Sequence, residues 1–444
     1  MHIHIINKGY PLAKGVAYSP YSSSLLLNVP NGNMSALPDI PDHFINWLKM
    51  QPDFKKLPDE QLAADFSPRE KYGNYLAGLW RQALDQRSNN ITISVYDDEA
   101  FDIVETGKQF YVYLKNHHVL VSDRVVIATG NVQPRLPTGI PVEFCRDQRY
   151  FNSPWKKTSV ENIEEQGDIL IIGNGLTMAD TVTALAASGF KNKIYTVSPH
   201  GYNLNCRTEP GPAYPAIDIK ELLSESPDLH KIVKHVNYHR KAAKALNLST
   251  YPIVDSLRPY IPQLWQSLTG EEKARFMKYL RHLWDSIRHR LPLKVYNLLN
   301  EMRASKQLIT IKGRITAVEG QKDHVAVELT CNEQLHQLKV QRIINCTGPE
   351  SSLKLSSNEL LRNLEKSGLV CQDNLGLGIN ADPESGCVTN KNGATRPGLY
   401  VIGTNIKGML WESTAVPELR VQAQKLALLL VETVRESALN LQSV

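Results

Sequence analysis

The fold is decided by the stretch DILIIGNGLTMAD, which runs from Asp168 to Asp180. It begins with a continuous apolar run, which predicts a parallel strand covered on both faces, and passes through Gly173 and Gly175 into a helical pattern that stops at Gly189. A G-x-G turn between a strand and a helix points the free N–H groups and the positive dipole end of the helix toward a pyrophosphate. The stretch therefore predicts a dinucleotide-binding unit, and a strand-turn-helix without a ligand is the alternative.

The next strand indicates which dinucleotide is preferred. The predicted strand Lys193–Ser198 is followed by Pro199 and His200. Its end lacks the carboxylate that would accept a hydrogen bond from a ribose 2′-hydroxyl. A hydroxyl and an imidazole suit a 2′-phosphate slightly better, so we expect NADPH over NADH, with Arg207 as a helper. Met178 holds the third glycine position of a full fingerprint, so we expect looser packing of the helix. The candidate residues of this unit are Gly173, Gly175, Leu176, Thr177, Ser198 and His200.

Two other apolar strands end in Thr-Gly, one on each side of this unit. The first closes with Ala128-Thr129-Gly130 and the second with Thr347-Gly348. Small residues at a strand end let a ligand approach the backbone closely, although a plain strand-to-turn junction also favours Gly130. A last strand ends at Gly403, and the segment from Trp411 to Arg420 opens a C-terminal helix.

From about residue 216 to residue 305 the composition becomes helical. Apolar residues at three- and four-residue steps predict one stripe that faces a core: Phe276, Tyr279, Leu280, Leu283, Trp284 and Ile287. The basic residues Lys273, Lys278, Arg281 and Arg288 fall on other faces, where solvent exposure is the simplest expectation. Taken alone, Arg288-His289-Arg290 is typical of a surface, although its two guanidinium groups could clamp a carboxylate or a phosphate.

Composition excludes several classes of protein. The chain has 444 residues, 42% of them hydrophobic and 21% charged, with a net charge of only +5. This balance favours neither nucleic acid nor an anionic membrane as a partner, and the longest apolar runs are shorter than a bilayer span. Six cysteines without C-x-x-C spacing predict neither a metal site nor disulfides and fit a reducing cytoplasm. The sequence leaves the oligomeric state open.

The N-terminal segments follow a familiar order. An apolar strand, His2–Ile6, precedes Gly15-Val16-Ala17-Tyr18-Ser19, Leu25–Pro30 and Asn33–Ala36. This order resembles the bacterial FAD/NAD(P)-binding proteins that are related to flavin-dependent N-hydroxylating monooxygenases. Further segments match the family in order: Phe44–Leu48, Tyr72–Leu76, Pro154-Trp155, Gly173–Asp180, Asp255–Pro259, Arg288–Arg290 and Trp411–Glu418. The chain departs from the family at Leu25, where His is usual, at Asn7, near which the family has an acidic residue, and at Pro199, where the family has a basic residue.

The resemblance implies an α/β fold with two dinucleotide-binding, Rossmann-like domains, the second inserted in the first. The expected bounds are 1–160 for the first part of the FAD domain, 161–306 for the NAD(P) domain with a helical insertion at 216–305, and 307–444 for the second FAD part. It implies FAD and NAD(P)H as cofactors and a small substrate, an amine or an amino acid. The residues implied at the flavin side and strand ends are Gly15, Val16, Ala17, Tyr18, Asn28, Met34, Ser35, Ala128, Thr129, Gly130, Thr347, Gly348, Gly403, Trp411 and Ala415.

The family begins about one βαβ arm before His2, with a strand and a G-x-G-x-x-G loop, and we expect that arm to be missing here. Such a loop supplies two or three charge-assisted hydrogen bonds, so its loss costs on the order of 5 kcal/mol, roughly a thousandfold in affinity. We therefore expect weak FAD binding, unpaired edges on the flanking strands, and His2–Ile6 in the sheet that carries Val125–Ala128. Two hypotheses follow. The first is an FAD- and NAD(P)H-dependent oxidoreductase of monooxygenase-like type, in which NAD(P)H reduces the flavin by hydride transfer and oxygen is then activated at the flavin, with no catalytic side chain assigned. The second is a non-catalytic nucleotide-binding remnant that cannot retain FAD.

Overall fold

The computed structural model of the chain describes residues 1–161, 167–207, 212–224 and 227–442, so two residues of the predicted helical region, 225 and 226, lie outside it. The strands are β1 (His2–Ile6), β2 (Thr92–Tyr96), β3 (Ala100–Thr106), β4 (Gln109–Leu114), β5 (Val119–Ser122), β6 (Val125–Ile127), β7 (Tyr150–Phe151), β8 (Ile169–Ile172), β9 (Ile194–Ser198), β10 (Leu308–Lys312), β11 (Arg314–Gly320), β12 (Val325–Cys331), β13 (Gln334–Val340), β14 (Arg342–Asn345), β15 (Cys387–Thr389) and β16 (Thr395–Val401). The helices are α1 (His43–Lys49), α2 (Asp59–Ala64), α3 (Arg69–Asp85), α4 (Leu176–Ala187), α5 (Lys220–Ser224), α6 (Leu229–Ala245), α7 (Tyr251–Leu257), α8 (Ile261–Ser267), α9 (Gly270–Tyr279), α10 (Arg281–Arg288), α11 (Leu293–Ala304), α12 (Glu359–Ser367) and α13 (Val416–Gln442).

The apolar run that opens the deciding stretch forms β8, and all four of its residues are buried. Ile169 and Ile171 pack into a core that α4 and α11 share, whereas Leu170 and Ile172 pack against β12. Side chains of a strand alternate between the two faces of a sheet, so a strand with both faces covered needs apolar residues throughout. This burial explains the lack of polar alternation in the sequence.

β8 is the middle strand of a five-stranded sheet with the order β10-β9-β8-β14-β7, and every pairing in it is parallel. From β8 the chain adds β9 and β10 on one side and then returns to place β14 on the other side. The carboxyl ends of β8 and β14 therefore flank a topological switch point, which is where ligands bind in open α/β sheets.

This sheet extends past the predicted boundary at residue 306. β10 and β14, which the sequence analysis assigned to the second flavin part, pair with β9 and β8. Which strands pair depends on the long-range path of the chain. No local pattern in residues 307–345 indicates that β10 and β14 pair with β9 and β8.

The strands on the flavin side of the molecule, called the first unit, lie in separate sheets, whereas the five-stranded sheet with α4 is called the second unit. β1 pairs in parallel with β2, while β6 pairs with β16 in a sheet of order β15-β16-β6. The expectation that residues 2–6 share a sheet with Val125–Ala128 is therefore wrong. Ile6 packs against the core that contains Ile127, so the two sheets share side-chain contacts. No strand of the described residues pairs with strands of both sheets. Among the described residues, β1 pairs on one edge only, with β2, and β6 pairs on one edge only, with β16.

The helical region begins at α5 and ends at α11, close to its predicted bounds. The predicted stripe is correct in part: Phe276, Leu280 and Trp284 pack against the cluster around Trp265. Tyr279 and Leu283 are instead exposed, because α9 ends at Tyr279 and a new helix begins at Arg281. Among the helices of the described residues, none is both long and apolar enough to cross a membrane.

Candidate active site

A cavity of about 330 Å³ lies where the start of α4 faces the segments that precede α1 and α13. Six of the predicted cofactor residues line it: Tyr18, Asn28, Met34, Leu176, Trp411 and Ala415. Arg207 and the triplet Arg288-His289-Arg290 also line it. The cavity therefore collects residues from the N-terminal segment, the second unit, the helical region and the C-terminal segment.

The two glycines of the deciding stretch have different roles. Gly173 has φ +107°, and a Cβ there would lie 2.5 Å from the carbonyl oxygen of Cys346, at the end of β14. Gly175 is the N-cap of α4 with an ordinary φ of −94°, and a Cβ there would have no atom within 4 Å. The first glycine thus serves packing between two strands, while the second leaves open space in front of the free N–H groups of the helix. The bend is not covered by side chains at Gly175.

Asn174 anchors the bend to the loop after β9. Its side-chain amide donates to the carbonyl oxygen of Tyr202 and, at 3.3 Å, to Oδ1 of Asn203. Met178, at the third fingerprint position, is fully buried and fills the contact between helix and sheet. The fingerprint glycine is thus replaced by a side chain that packs between α4 and the sheet.

The predicted 2′-phosphate residues lie at the end of β9 and do not line the cavity. Ser198 Oγ accepts a hydrogen bond from the Gly201 N–H at 3.1 Å. The exposed His200 ring stacks on Tyr202 at 5.3 Å and lies 4.9 Å from the His282 ring. This flank offers exposed rings, and the cavity residue Arg281 acts electrostatically on His282 there.

The strand ends of the first unit come together because β6 and β16 run in parallel. Asn405 Nδ2 donates to Thr129 Oγ1 at 2.8 Å, and the Ile402 N–H donates to the Ile127 carbonyl at 3.1 Å. Ala128, Thr129, Gly130 and Gly403 therefore lie at one sheet edge, outside the lining of the cavity. Gly130 has φ +69° and open space around its Cα, so a close approach by a ligand is sterically possible.

The second Thr-Gly ending lies in the other unit. Thr347 follows β14, and its hydroxyl donates to Asn345 Oδ1 at 2.7 Å. A Cβ on Gly173 would lie 3.2 Å from the Thr347 nitrogen. Thr347 and Gly348 thus stand beside the glycine bend and belong to the sheet of β8, although the sequence analysis assigned them to the second FAD part, because β14 pairs with β8.

The N-terminal segment reaches the cavity through Tyr18 and Met34. The carbonyl of Tyr18 packs directly on α3, where a Cβ on Gly73 would lie 2.2 Å from the Tyr18 oxygen. Burial raises the pKa of Tyr18 to about 12, so its hydroxyl stays neutral near pH 7. Ser35 is fully buried and donates to the Ile40 carbonyl at 2.7 Å, which gives it a structural role. Gly15, Val16 and Ala17 lie in the turn before Tyr18 and do not line the cavity.

The two arginines of the triplet at the end of α10 are buried, so its interpretation as a surface feature is wrong for them. Arg288 pairs with Glu412 at 2.8 Å, and both side chains are about one-tenth exposed. Arg290 pairs with Asp255 and lies over the Tyr251 ring at 4.6 Å. These partners come from distant parts of the chain, so the sequence around the triplet could not indicate its burial.

Glu412 is held on both sides. The Trp284 indole N–H donates to its Oε1, and Arg288 binds its Oε2. Its φ of 64° lies in the left-handed region, which costs a residue with a side chain on the order of 1 kcal/mol or more. Trp265 stacks on Trp411 at 5.0 Å and donates to the Gly408 carbonyl at 2.7 Å. The helical region therefore fixes the segment that carries Trp411 and Glu412 against the cavity.

Two cations of the cavity have no ion-pair partner among the described residues, Arg207 and Lys407. Burial, and secondarily the charge of Arg290, lowers the pKa of Arg207 to about 10. Burial, and secondarily Arg281, also lowers the pKa of Lys407. The sequence analysis considered Arg207 as a helper in nucleotide binding but missed Lys407, because no motif marks a single lysine in a loop.

Comparisons with known proteins agree with this architecture. The sequence model of an FAD-NAD(P)-binding family matches residues 1–132. An ornithine N-hydroxylase from Kutzneria sp. 744, solved with reduced FAD, NADP⁺ and L-ornithine, superimposes with a TM-score of 0.62 at 14% identity, covering 97% of this chain and 91% of that one. The fold is that of the N-hydroxylating monooxygenases. The predicted fold class is thereby confirmed.

Two further solved structures give the same result. An L-lysine 6-monooxygenase from Pseudomonas syringae has a TM-score of 0.60 at 17% identity, with 98% of this chain and 99% of that chain covered. A cadaverine monooxygenase from Erwinia amylovora has a TM-score of 0.59 at 11% identity, with 95% and 86% covered. No curated protein matches the chain by sequence. The hypothesis of a non-catalytic remnant finds no support in these comparisons.

Proposed function

We propose that the chain is an FAD- and NAD(P)H-dependent oxidoreductase of the monooxygenase type, acting on a small substrate in the cavity. The observation that carries the proposal is the meeting of Leu176, at the open start of α4, with Tyr18, Met34 and Trp411 around one cavity. The hydroxylase and monooxygenases of the same fold act on amines and amino acids. An amine or an amino acid is therefore the starting hypothesis for the substrate.

The residues present fit both cofactors. Gly175 leaves the space that a pyrophosphate would fill in front of α4, and the neighbouring N–H groups are its natural donors. The buried indole N–H of Trp411 has no acceptor among the described residues, so a bound ring with acceptor atoms would satisfy it. Gly175, Leu176 and Thr177 would hold the nicotinamide dinucleotide after the tight turn that Gly173 allows, with NADPH preferred because no carboxylate follows β9. Tyr18, Asn28, Met34, Trp411 and Ala415 would hold the flavin.

The chain contributes binding, orientation and exclusion of water. When bound, the nicotinamide dinucleotide supplies a hydride to the flavin, and the flavin delivers the electrons to dioxygen. Val29, Met34, Leu176 and Trp411 form apolar walls that keep water from the reacting atoms. Cations of α10 and of the segment before α13 also line the cavity, where they would orient polar groups of a bound substrate. No nucleophilic side chain is needed, which agrees with the lack of a catalytic constellation in the sequence.

The proposal is tested by following NADPH oxidation and oxygen uptake by the purified chain in the presence and absence of added FAD. We expect NADPH oxidation only with FAD present, and a faster rate with NADPH than with NADH. Protein that binds NADPH but shows no FAD-dependent oxidation would favour a nucleotide-binding role. If the protein bound neither FAD nor NADPH, the proposed function would be refuted.

A further inference from the structure

The cavity has more positively charged side chains than there are carboxylates paired with them. Six strong cations line it: Arg207, Arg258, Arg281, Arg288, Arg290 and Lys407. Four of them have a carboxylate partner, in the pairs Arg258–Glu418, Arg281–Asp285, Arg288–Glu412 and Arg290–Asp255. Among the described residues, Arg207 and Lys407 have none, so the wall keeps an excess of two positive charges.

Such an excess is costly in the protein alone. A buried cation loses hydration, and a neighbouring charge of the same sign raises its energy further. Arg207 lies in the field of Arg290, Arg258 and Arg288 and of one carboxylate, Asp255, which already pairs with Arg290. Lys407 lies in the field of Arg281 and of one carboxylate, Asp285, which already pairs with Arg281. A bound anion would relieve both, because its attraction to the two cations is strong where water is excluded.

We infer that the cavity selects a substrate that carries a carboxylate and a net negative charge, with Arg207 and Lys407 as its counter-charges. The inference rests on the proposed function, because it names the substrate class of the same cavity. A diamine such as cadaverine would meet an excess of charge of its own sign. An amino acid with a second carboxylate would meet the opposite sign, and its amine can approach Asp285, whose pair with Arg281 is long at 3.5 Å.

A second source of negative charge must be distinguished, namely the pyrophosphate of the dinucleotide, since Leu176 also lines the cavity. The charged neighbours of Lys407 are Arg281 and Asp285 of α10, which lie outside the five-stranded sheet and α4. Lys407 itself lies between β16 and α13. This placement favours a substrate carboxylate over the pyrophosphate as the partner of at least this cation.

The test uses isothermal titration of the full chain with succinate as a dianion, succinamide as its neutral counterpart and cadaverine as a dication. Each titration is run with and without saturating NADP⁺. The variants are Arg207→Gln and Lys407→Gln. Their matched controls are Arg81→Gln, on an exposed face of α3, and Lys391→Gln, in an exposed turn. Circular dichroism and the melting temperature establish that each variant is folded, and Arg207→Lys tests whether charge alone restores binding.

We expect succinate to bind the wild type, and succinamide and cadaverine to bind at least tenfold more weakly. Each cavity variant should weaken succinate binding by roughly tenfold or more, because each removes one charge-assisted contact. The two controls should leave it unchanged, and NADP⁺ should not displace succinate. Displacement of succinate by NADP⁺ would assign the cations to the pyrophosphate and overturn the inference, as would equal affinities for succinate and cadaverine or no binding of succinate. Succinate binding without FAD-dependent NADPH oxidation would instead refute the proposed function and leave the anion site intact.

Discussion

The two nucleotide units of this protein differ in what holds their strands. In the second unit, β8 and β14 belong to one parallel sheet, so hydrogen bonds fix the glycine bend against the end of β14. In the first unit, β1 and β6 lie in different sheets that share only a side-chain core around Ile127. In the second unit, strand pairing thus holds a glycine bend in front of the free N–H groups of α4, whereas among the described residues no helix begins directly after β1 or β6. The second unit should therefore bind its cofactor more tightly than the first.

The largest expected effect concerns retention of FAD. No helix of the described residues begins directly after β1 or β6, so the first unit offers no helix start at those strands for the FAD pyrophosphate. We expect FAD to bind roughly a thousandfold more weakly than a unit with a complete glycine loop would bind it. Protein loaded with FAD should lose its flavin absorbance on gel filtration and recover activity when FAD is added. Stoichiometric flavin after gel filtration would show that the two units do not differ in this way.

The next effect is the close contact within the second unit. Gly173→Ala would place a methyl group 2.5 Å from the Cys346 oxygen at φ +107°. We expect a loss of roughly 3 kcal/mol in the free energy of unfolding, measured by urea denaturation. Gly189→Ala is the matched control, because Gly189 also has a positive φ but has open space around it. It should cost roughly 1 kcal/mol. Equal losses in both variants would mean that strain, not the contact with β14, explains Gly173.

A smaller effect is expected at the strand ends of the first unit. Thr129→Val removes the acceptor of the Asn405 amide, and Asn405 is nearly buried. We expect a loss of roughly 1 to 2 kcal/mol in the free energy of unfolding, because a buried donor is left without a partner. Thr129→Ser keeps the hydroxyl and should lose less than half of that. If valine and serine behave alike, the hydrogen bond does not join β6 to the segment after β16.

The smallest expected effect concerns the free energy of unfolding as a function of pH, compared for one ion pair of each unit. Arg149, which binds Asp147 with two hydrogen bonds, lowers the pKa of that carboxyl below 3.8. A lowered pKa in the folded state means that the stabilisation is present above pH 3.8 and is lost as the pH falls through the lowered pKa. Asp147→Asn should cost about 1 kcal/mol near neutral pH and nothing in strong acid.

The counterpart in the first unit is the exposed pair of Lys115 with Glu359 at 2.7 Å. Glu359→Gln should leave the free energy of unfolding unchanged at both pH values, because solvent screens exposed pairs. Urea denaturation of both variants at neutral and acidic pH checks this contrast. If Glu359→Gln lowered the free energy of unfolding as much as Asp147→Asn does, the two ion pairs would not differ as predicted.

The sequence predicted the second unit well because its signals are local. An apolar run, a glycine pair and a helix stop lie within about twenty residues, and each reflects a requirement of the strand, the turn or the helix itself. The sequence could not place β14 beside β8 or separate β1 from β6, because both depend on long-range pairing. The same limit applies to the cavity. The burial of Arg288 depends on its ion pair with Glu412, which lies far away in the chain.

The central claim, that the bend at Gly175 holds the nicotinamide dinucleotide, is tested most directly by titrating wild type and Gly175→Ala with NADPH. Because a Cβ at this position has no protein atom within 4 Å, the variant should keep the melting temperature of the wild type. We predict one NADPH bound per wild-type chain and an affinity at least tenfold lower in the variant, since the methyl group takes the place of a phosphate oxygen. Unchanged affinity in a folded variant would contradict the claim.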